Sequence, residues 1–291
     1  MLAVVWGVHW VVVKVGLEYL PPFTYAVLRV AGGLATFVVL LGLTGRLVRP
    51  ARADVPLVLS LGLGQIAVAV VMMNLALQVV SAGRSSVLVY TMPIWVAVLL
   101  AIVFRVRPQR WEMIGLVLGI GGLIALLNPA SIDWTAPGEL AGTLALFVNA
   151  ITWAAATIVI QRHRWTRTPL ELQPWFFLTA LPPLIVLALV LEPGRAIRWE
   201  PMTVLILLYS GPLATAFATW ASQSITRSLG SQASATGFLA VPVIGLASGA
   251  LILNESLGIA DVIGFGLILG GIAATSLVVR PAAADAELDG D

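Results

Sequence analysis

Cysteine is absent from the 291 residues, and histidine occurs only at His9 and His163. Without thiols, no disulfide, thiolate nucleophile or cysteine metal site can form. Two histidines far apart in sequence give no metal-ligand spacing, so no metal site is expected. Charge is scarce as well: 10% of the residues are Asp, Glu, Lys or Arg, against about a quarter in soluble domains. A net charge of +2 is too small to point to nucleic acid. The chain has no phosphate-cradling P-loop, no His-Glu-x-x-His and no Gly-x-Ser-x-Gly, which argues against ATP drive and intramembrane hydrolysis. No catalytic residue and no cofactor is expected. No segment has the cationic start and short apolar run of a signal peptide. Met1 leads almost directly into an apolar run, so any native N-terminal extension would lie outside this numbering.

What remains is apolar: 59% hydrophobic residues and a mean hydropathy of +1.00. A spanning helix needs about 20 mostly apolar residues, and ten runs qualify: 2–20, 23–44, 55–79, 84–104, 111–128, 139–161, 171–191, 202–224, 232–252 and 257–279. Pro and Gly pairs or clustered charge separate them, as at Pro21-Pro22, Pro137-Gly138 and Pro193-Gly194. The fold class expected is therefore an all-α integral membrane protein. The lipid bilayer and a small-molecule substrate are its expected partners, and the oligomeric state is left open.

The basic residues order the spans. Arg46, Arg49, Arg52, Arg105, Arg107, Arg110, Arg162, Arg164, Arg167, Arg227 and Arg280 follow even-numbered spans; only Arg84, Arg195 and Arg198 follow odd ones. Positive charge is retained on the cytoplasmic side, which predicts cytoplasmic loops at 45–54, 105–110 and 162–168 and two cytoplasmic termini.

The stretch 87–126 recurs 149 positions later: Pro93 aligns with Pro242, Gly115 with Gly264, and Gly121-Gly122 with Gly270-Gly271. With a two-residue slip Trp6 matches Trp153. The expected organisation is a first five-helix repeat over 1–128, a connecting loop at 129–138, a second repeat over 139–280 and a disordered cytoplasmic tail over 281–291. Five spans per half is odd, so the ten helices form two inverted repeats, an arrangement used by transporters with a site near the midplane. The glycines are read as close-packing positions. Pro93 and Pro242 fall inside spans, where each would break a backbone hydrogen bond, and are candidate hinges or static kinks.

These features resemble the drug/metabolite transporter superfamily, in its EamA-type ten-helix branch. The resemblance is carried by Trp6-Gly7 with Lys14, Arg29, Ala82-Gly83-Arg84-Ser85-Ser86 leading to Pro93, Gly115 through Gly122, Asn254-Glu255, and Gly264 through Gly271. The region after span four reads Phe104-Arg105-Val106-Arg107, where family members often carry Gly-Glu. The resemblance implies movement of metabolites, often export, across the cytoplasmic membrane. The aromatic content points to the aromatic amino acid exporter subgroup (YddG type).

Candidate site residues follow from cost in lipid. Ionisable groups inside a membrane are functional candidates. Lys14, Glu18 and Arg29 either neutralise one another in a cluster tying span one to span two, or leave surplus positive charge for a substrate carboxylate. Trp6, Trp10, Trp95, Trp153 and Trp220 lie within spans, with His9 beside the first pair and Tyr90 and Trp95 flanking Pro93; they either line a cavity or pack between helices. Asn74 and Gln223, also 149 apart, are expected to bond the polar end of a substrate or a neighbouring helix. Gln65 is taken as structural. Trp111, Trp134, Trp165 and Trp199 read as an interfacial belt. Exporters of cationic drugs or other metabolites, and a non-transporting scaffold or enzyme, are the alternatives.

Overall fold

Helices account for all the regular structure among the described residues of a computed structural model, which are 1–103, 105, 110–127, 136–238, 240–254 and 258–276. The expected loop over 129–138 is described only from 136, and Trp134, Glu255, most of 105–110, the tail and the side chain of Phe238 lie outside the described residues. In chain order the α-helices are α1 (Leu2–Gly16), α2 (Pro22–Leu43), α3 (Val55–Leu59), α4 (Ala69–Ala76), α5 (Ala82–Val89), α6 (Met92–Val103) and α7 (Arg110–Leu127). They continue as α8 (Glu139–Arg162), α9 (Pro169–Leu191), α10 (Pro201–Leu208), α11 (Ala218–Phe238), α12 (Ala240–Leu253) and α13 (Ile259–Ser276). Six stretches are long and apolar enough to cross a membrane: Pro22–Leu43, Arg52–Ala76, Ala82–Val103, Glu139–Arg162, Pro169–Leu191 and Pro201–Ser228. Four apolar helices are shorter, including Leu2–Gly16 and Val241–Leu253. Outer faces expose residues such as Ile102, Leu189 and Leu251, as befits helices whose solvent is hydrocarbon.

Two of the six stretches change winding midway. Ser60–Val68 joins α3 to α4 as a π-helix, here π1, and Tyr209–Phe217 joins α10 to α11 as π2. A π-helix is rare beyond a single turn and is frequent at functional sites. The second begins and ends 149 residues after the first, so both halves carry the distortion at matching positions. In π2, Pro212 has no N–H to give and its ring crowds the carbonyl of Leu208, which favours rewinding. Each π segment receives a helix from the opposite half: α2 packs on π2 and α9 on π1. The contacts correspond, since a Cβ on Gly62 would lie 2.7 Å from the Phe176 carbonyl oxygen and one on Gly211 would lie 3.3 Å from that of Arg29. Elsewhere α1 packs on α12, α8 on α6, and α7 on α13.

Connections gather at two ends. At one end the buried Asp54 carboxylate accepts from the Thr166 amide at 3.1 Å and from its hydroxyl, with His163 Nε2 at 3.0 Å, while Trp175 Nε1 donates to the Val48 carbonyl. Segments 45–54 and 162–168 therefore lie together. At the other end Glu192 caps the start of α2 by accepting from the Phe23 and Thr24 amides at 3.0 and 2.8 Å. An anion there satisfies orphan donors and complements the helix dipole. Arg84 pairs with Glu139 at 2.8 Å at this same end, because Lys14 near the end of α1 donates to the Val80 carbonyl. Hence α1 finishes where α8 begins, and the two helices run antiparallel.

Candidate functional site: a two-walled central cavity

Between the halves lies a cavity of about 1070 Å³, its open mouth included. Its lining reaches Ile160 and Thr226, near the Asp54 end, whereas Val13, Leu20, Tyr25, Leu77 and Val80 pack the opposite end closed.

The walls are built from the stretches that contain the π segments. Ile66, Val70 and Met73 line the cavity from one stretch, and Thr215, Thr219 and Ser222 from the other. Each member of the second set stands 149 residues after its partner in the first. Positions 149 apart thus supply an apolar surface from one stretch and a hydroxyl-bearing surface from the other. Thr226 continues the second stripe at helical spacing. Amide side chains close the gap between walls: Gln173 Nε2 donates to Gln223 Oε1 at 2.7 Å, and Gln223 Nε2 donates to Gln65 Oε1 at 2.8 Å. Gln65 therefore borders the cavity as well as holding its neighbours. Asn149 lines it too, with its amide nitrogen donating to the Ala69 carbonyl.

Aromatic residues form the remainder. Trp6 and Trp153 meet edge to face, with ring centroids 5.3 Å apart and planes at 88°. Trp6 Nε1 donates to the carbonyl of Ala214, inside π2, at 3.1 Å. Trp10 and Tyr90 line the same space. So does His9, whose two ring nitrogens have no protein partner and whose ring stacks near Tyr209. Tyr209 itself donates its hydroxyl to the Val5 carbonyl. Arg29, buried in α2, directs Nε at Thr215 Oγ1 at 3.1 Å.

The structure thus brings Trp6, His9, Trp10, Arg29, Tyr90, Trp153 and Gln223 together. Other candidates belong to packing. Asn74 is buried away from the cavity and donates to the Pro22 carbonyl at 2.8 Å. Trp95 sets its Nε1 on Thr91 Oγ1 and its ring edge-on to Phe147, and Trp220 packs against Phe217. The expected Lys14–Glu18–Arg29 cluster is not formed. Lys14 reaches Val80, Glu18 is exposed at the end of α1, and Arg29 turns inward toward Thr215. Pro93 does not break a helix from within, being the second residue of α6, whereas Pro242 follows position 239, which lies outside the described residues. In a first turn a missing N–H is no loss. The interruption before Pro93 lies at Tyr90-Thr91, between α5 and α6. Among the surface tryptophans, Trp111 and Trp199 are exposed, and Trp165 is tied to the Ile160 carbonyl.

Comparison with known proteins agrees with this architecture. The chain is 29% identical over 281 residues to the uncharacterized transporter YoaV of Bacillus subtilis, covering 93% of this chain and 92% of that one. It is 30% identical over 292 residues to a probable amino-acid metabolite efflux pump of Salmonella typhimurium, covering 94% and 91%. One solved crystal structure, at 19% identity, superposes with a TM-score of 0.67 over 99% of this chain and 96% of its own, which shows a shared fold. The model of the EamA-like transporter family matches residues 1–128 and 140–277. With nearly all its length matched, this multi-pass membrane protein belongs to the EamA-like transporter family.

Proposed function

We propose that the protein exports small amphipathic metabolites, aromatic amino acids foremost, across the inner membrane by alternating access of the central cavity. The carrying observation is the unlike lining: Ile66, Val70 and Met73 of one stretch are apolar, and Thr215, Thr219 and Ser222 of the other bear hydroxyls. A cargo with one apolar and one polar side satisfies both at once, whereas a purely polar or purely apolar one leaves a wall unmatched. Trp6, Trp10, Tyr90 and Trp153 supply flat partners for a planar side chain. The efflux pump name carried by the Salmonella relative is in keeping with this cargo.

Ten spans in two inverted five-helix repeats are the scaffold of this reading. Support comes from the antiparallel α1 and α8, the two π segments at one offset, and the family match in two stretches. The break preceding Pro93 and the repeat-related Pro242 are the hinge positions of this reading, with both termini cytoplasmic. The cavity then faces the cytoplasm as drawn, ready to load. Purified protein in liposomes provides the test: labelled tryptophan should cross at a rate well above protein-free vesicles and saturate with concentration. A rate equal to that of empty liposomes would end the proposal.

A further inference from the structure

Arg29 is a buried cation at the cavity that no carboxylate among the described residues meets. Arg29 is 5% exposed, and its guanidinium contacts are Nε to Thr215 Oγ1 at 3.1 Å and Nη1 to the thioether of Met73 at 3.9 Å. A guanidinium offers five N–H donors. A hydroxyl and a sulfur engage two of them, and neither carries negative charge. Among the described residues no carboxylate lies within salt-bridge distance. Asp54, Glu139, Glu171 and Glu192 are all engaged at helix ends, with Thr166 and His163, Arg84, Thr168 and Arg46, and Phe23 and Thr24 respectively. Nor does symmetry explain the residue: the counterpart of Arg29 in the second half is Phe176, buried in an apolar cluster. A scaffold that needs only packing at this position has the answer in its other half.

A buried charge is costly unless an opposite charge meets it. Because Arg29 borders the cavity, the missing anion can arrive from there. We propose that Arg29 is the carboxylate receptor of the cavity, so that its cargo is a carboxylate-bearing metabolite, zwitterionic or anionic, and not a cationic amine. This deepens the transport reading and rests on it. The planar fork of the guanidinium matches a carboxylate bidentately. The tryptophans then receive the side chain, and the unpartnered ring nitrogens of His9 remain for the ammonium of a zwitterion.

Three probes separate the groups: phenylalanine, 3-phenylpropionate, which lacks the amine, and phenethylamine, which lacks the carboxylate. Equilibrium binding of each radiolabelled probe to the purified full chain in detergent is measured alongside flux in liposomes. Wild type should bind the first two about 10- to 100-fold more tightly than phenethylamine, the range expected of a hydrogen bond to a charged group. Arg29→Gln should erase the preference, and Arg29→Lys should keep part of it. Phenethylamine binding as tightly as 3-phenylpropionate, a preference surviving Arg29→Gln, or no binding of any probe to folded wild type would each overturn the proposal. If Arg29→Gln fails to fold, the wild-type ranking alone decides. Carboxylate-selective binding without flux would reject transport and retain the receptor; equal flux of all three probes would retain transport and reject the receptor.

Discussion

Gly122 of α7 and Gly271 of α13 each hold the other's helix by the same contact. A Cβ on Gly122 would lie 2.7 Å from the Gly264 carbonyl oxygen, and a Cβ on Gly271 would lie 2.7 Å from the Gly115 carbonyl oxygen. Backbone meets backbone, so no side-chain rotation can make room. Gly122→Ala should therefore cost about 1–3 kcal/mol, the usual range for overpacking. Gly121→Ala, where nothing lies within 4 Å, should stabilise slightly by removing helical glycine. Thermal unfolding in detergent checks the pair; equal melting temperatures for the two variants would show that the seam is loose.

The aromatic wall makes a second prediction. Trp153→Ala removes the edge-to-face partner of Trp6 and opens the apolar side of the cavity. Tryptophan flux should fall about two- to tenfold more than alanine flux, since an aromatic contact contributes about 0.5–1.5 kcal/mol beyond burial. Trp199, 64% exposed, is the control: its alanine variant should change neither flux. Equal losses for both substrates at Trp153 would assign that ring to packing.

Energetics follow from the side chains around the cavity. Asp and Glu are absent from its lining among the described residues, and His9 is the one titratable imidazole there. Proton antiport needs a group that exchanges protons with both sides in turn. Flux should be driven by the concentration of cargo itself, and liposomes with a tenfold proton gradient should match the initial rate of those without one. Accumulation well beyond equilibrium, lost in His9→Gln, would make His9 a proton carrier.

Orientation can be checked on intact cells. Arg49 and Arg164 flank the segments that meet at Asp54, whereas Arg195 follows Glu192 at the other end. Single cysteines at the first two positions should escape an impermeant thiol reagent, and one at Arg195 should react. The reverse pattern would invert the whole topology.

Much of the site was legible in the sequence because lipid makes polar and aromatic residues conspicuous. Trp6, Trp10, Trp153 and Gln223, which line the cavity, were singled out in this way, and Gly122 and Gly271 were read as close-packing positions, as their helix contact has it. Helix phase was not legible. A π turn holds more residues than an α turn, so a face extrapolated through π1 or π2 drifts, and Asn74, beyond π1, points at Pro22 instead of the cavity. Gln65 lies inside π1 and was read as structural for want of that phase. The stripe Thr215, Thr219, Ser222, Thr226 was a signal in plain view: hydroxyls at helical spacings of four, three and four along one span. For Pro93, the expectation of one uninterrupted helix hid the break at Tyr90-Thr91, which turns an internal proline into an initial one.

The crossed packing of α2 on π2 and of α9 on π1 bears on how the protein is made. A nascent chain that has emerged only through α7 contains Arg29 but not Thr215, and π1 but not the helix that covers it. Its first half enters the bilayer with its central surfaces unmatched, and they stay so until α8 through α11 are synthesised. Folding of the early helices is thus completed by late ones, and an arrest near residue 128 leaves an intermediate with a guanidinium waiting for its hydroxyl. Such a species is what a membrane quality-control protease would recognise.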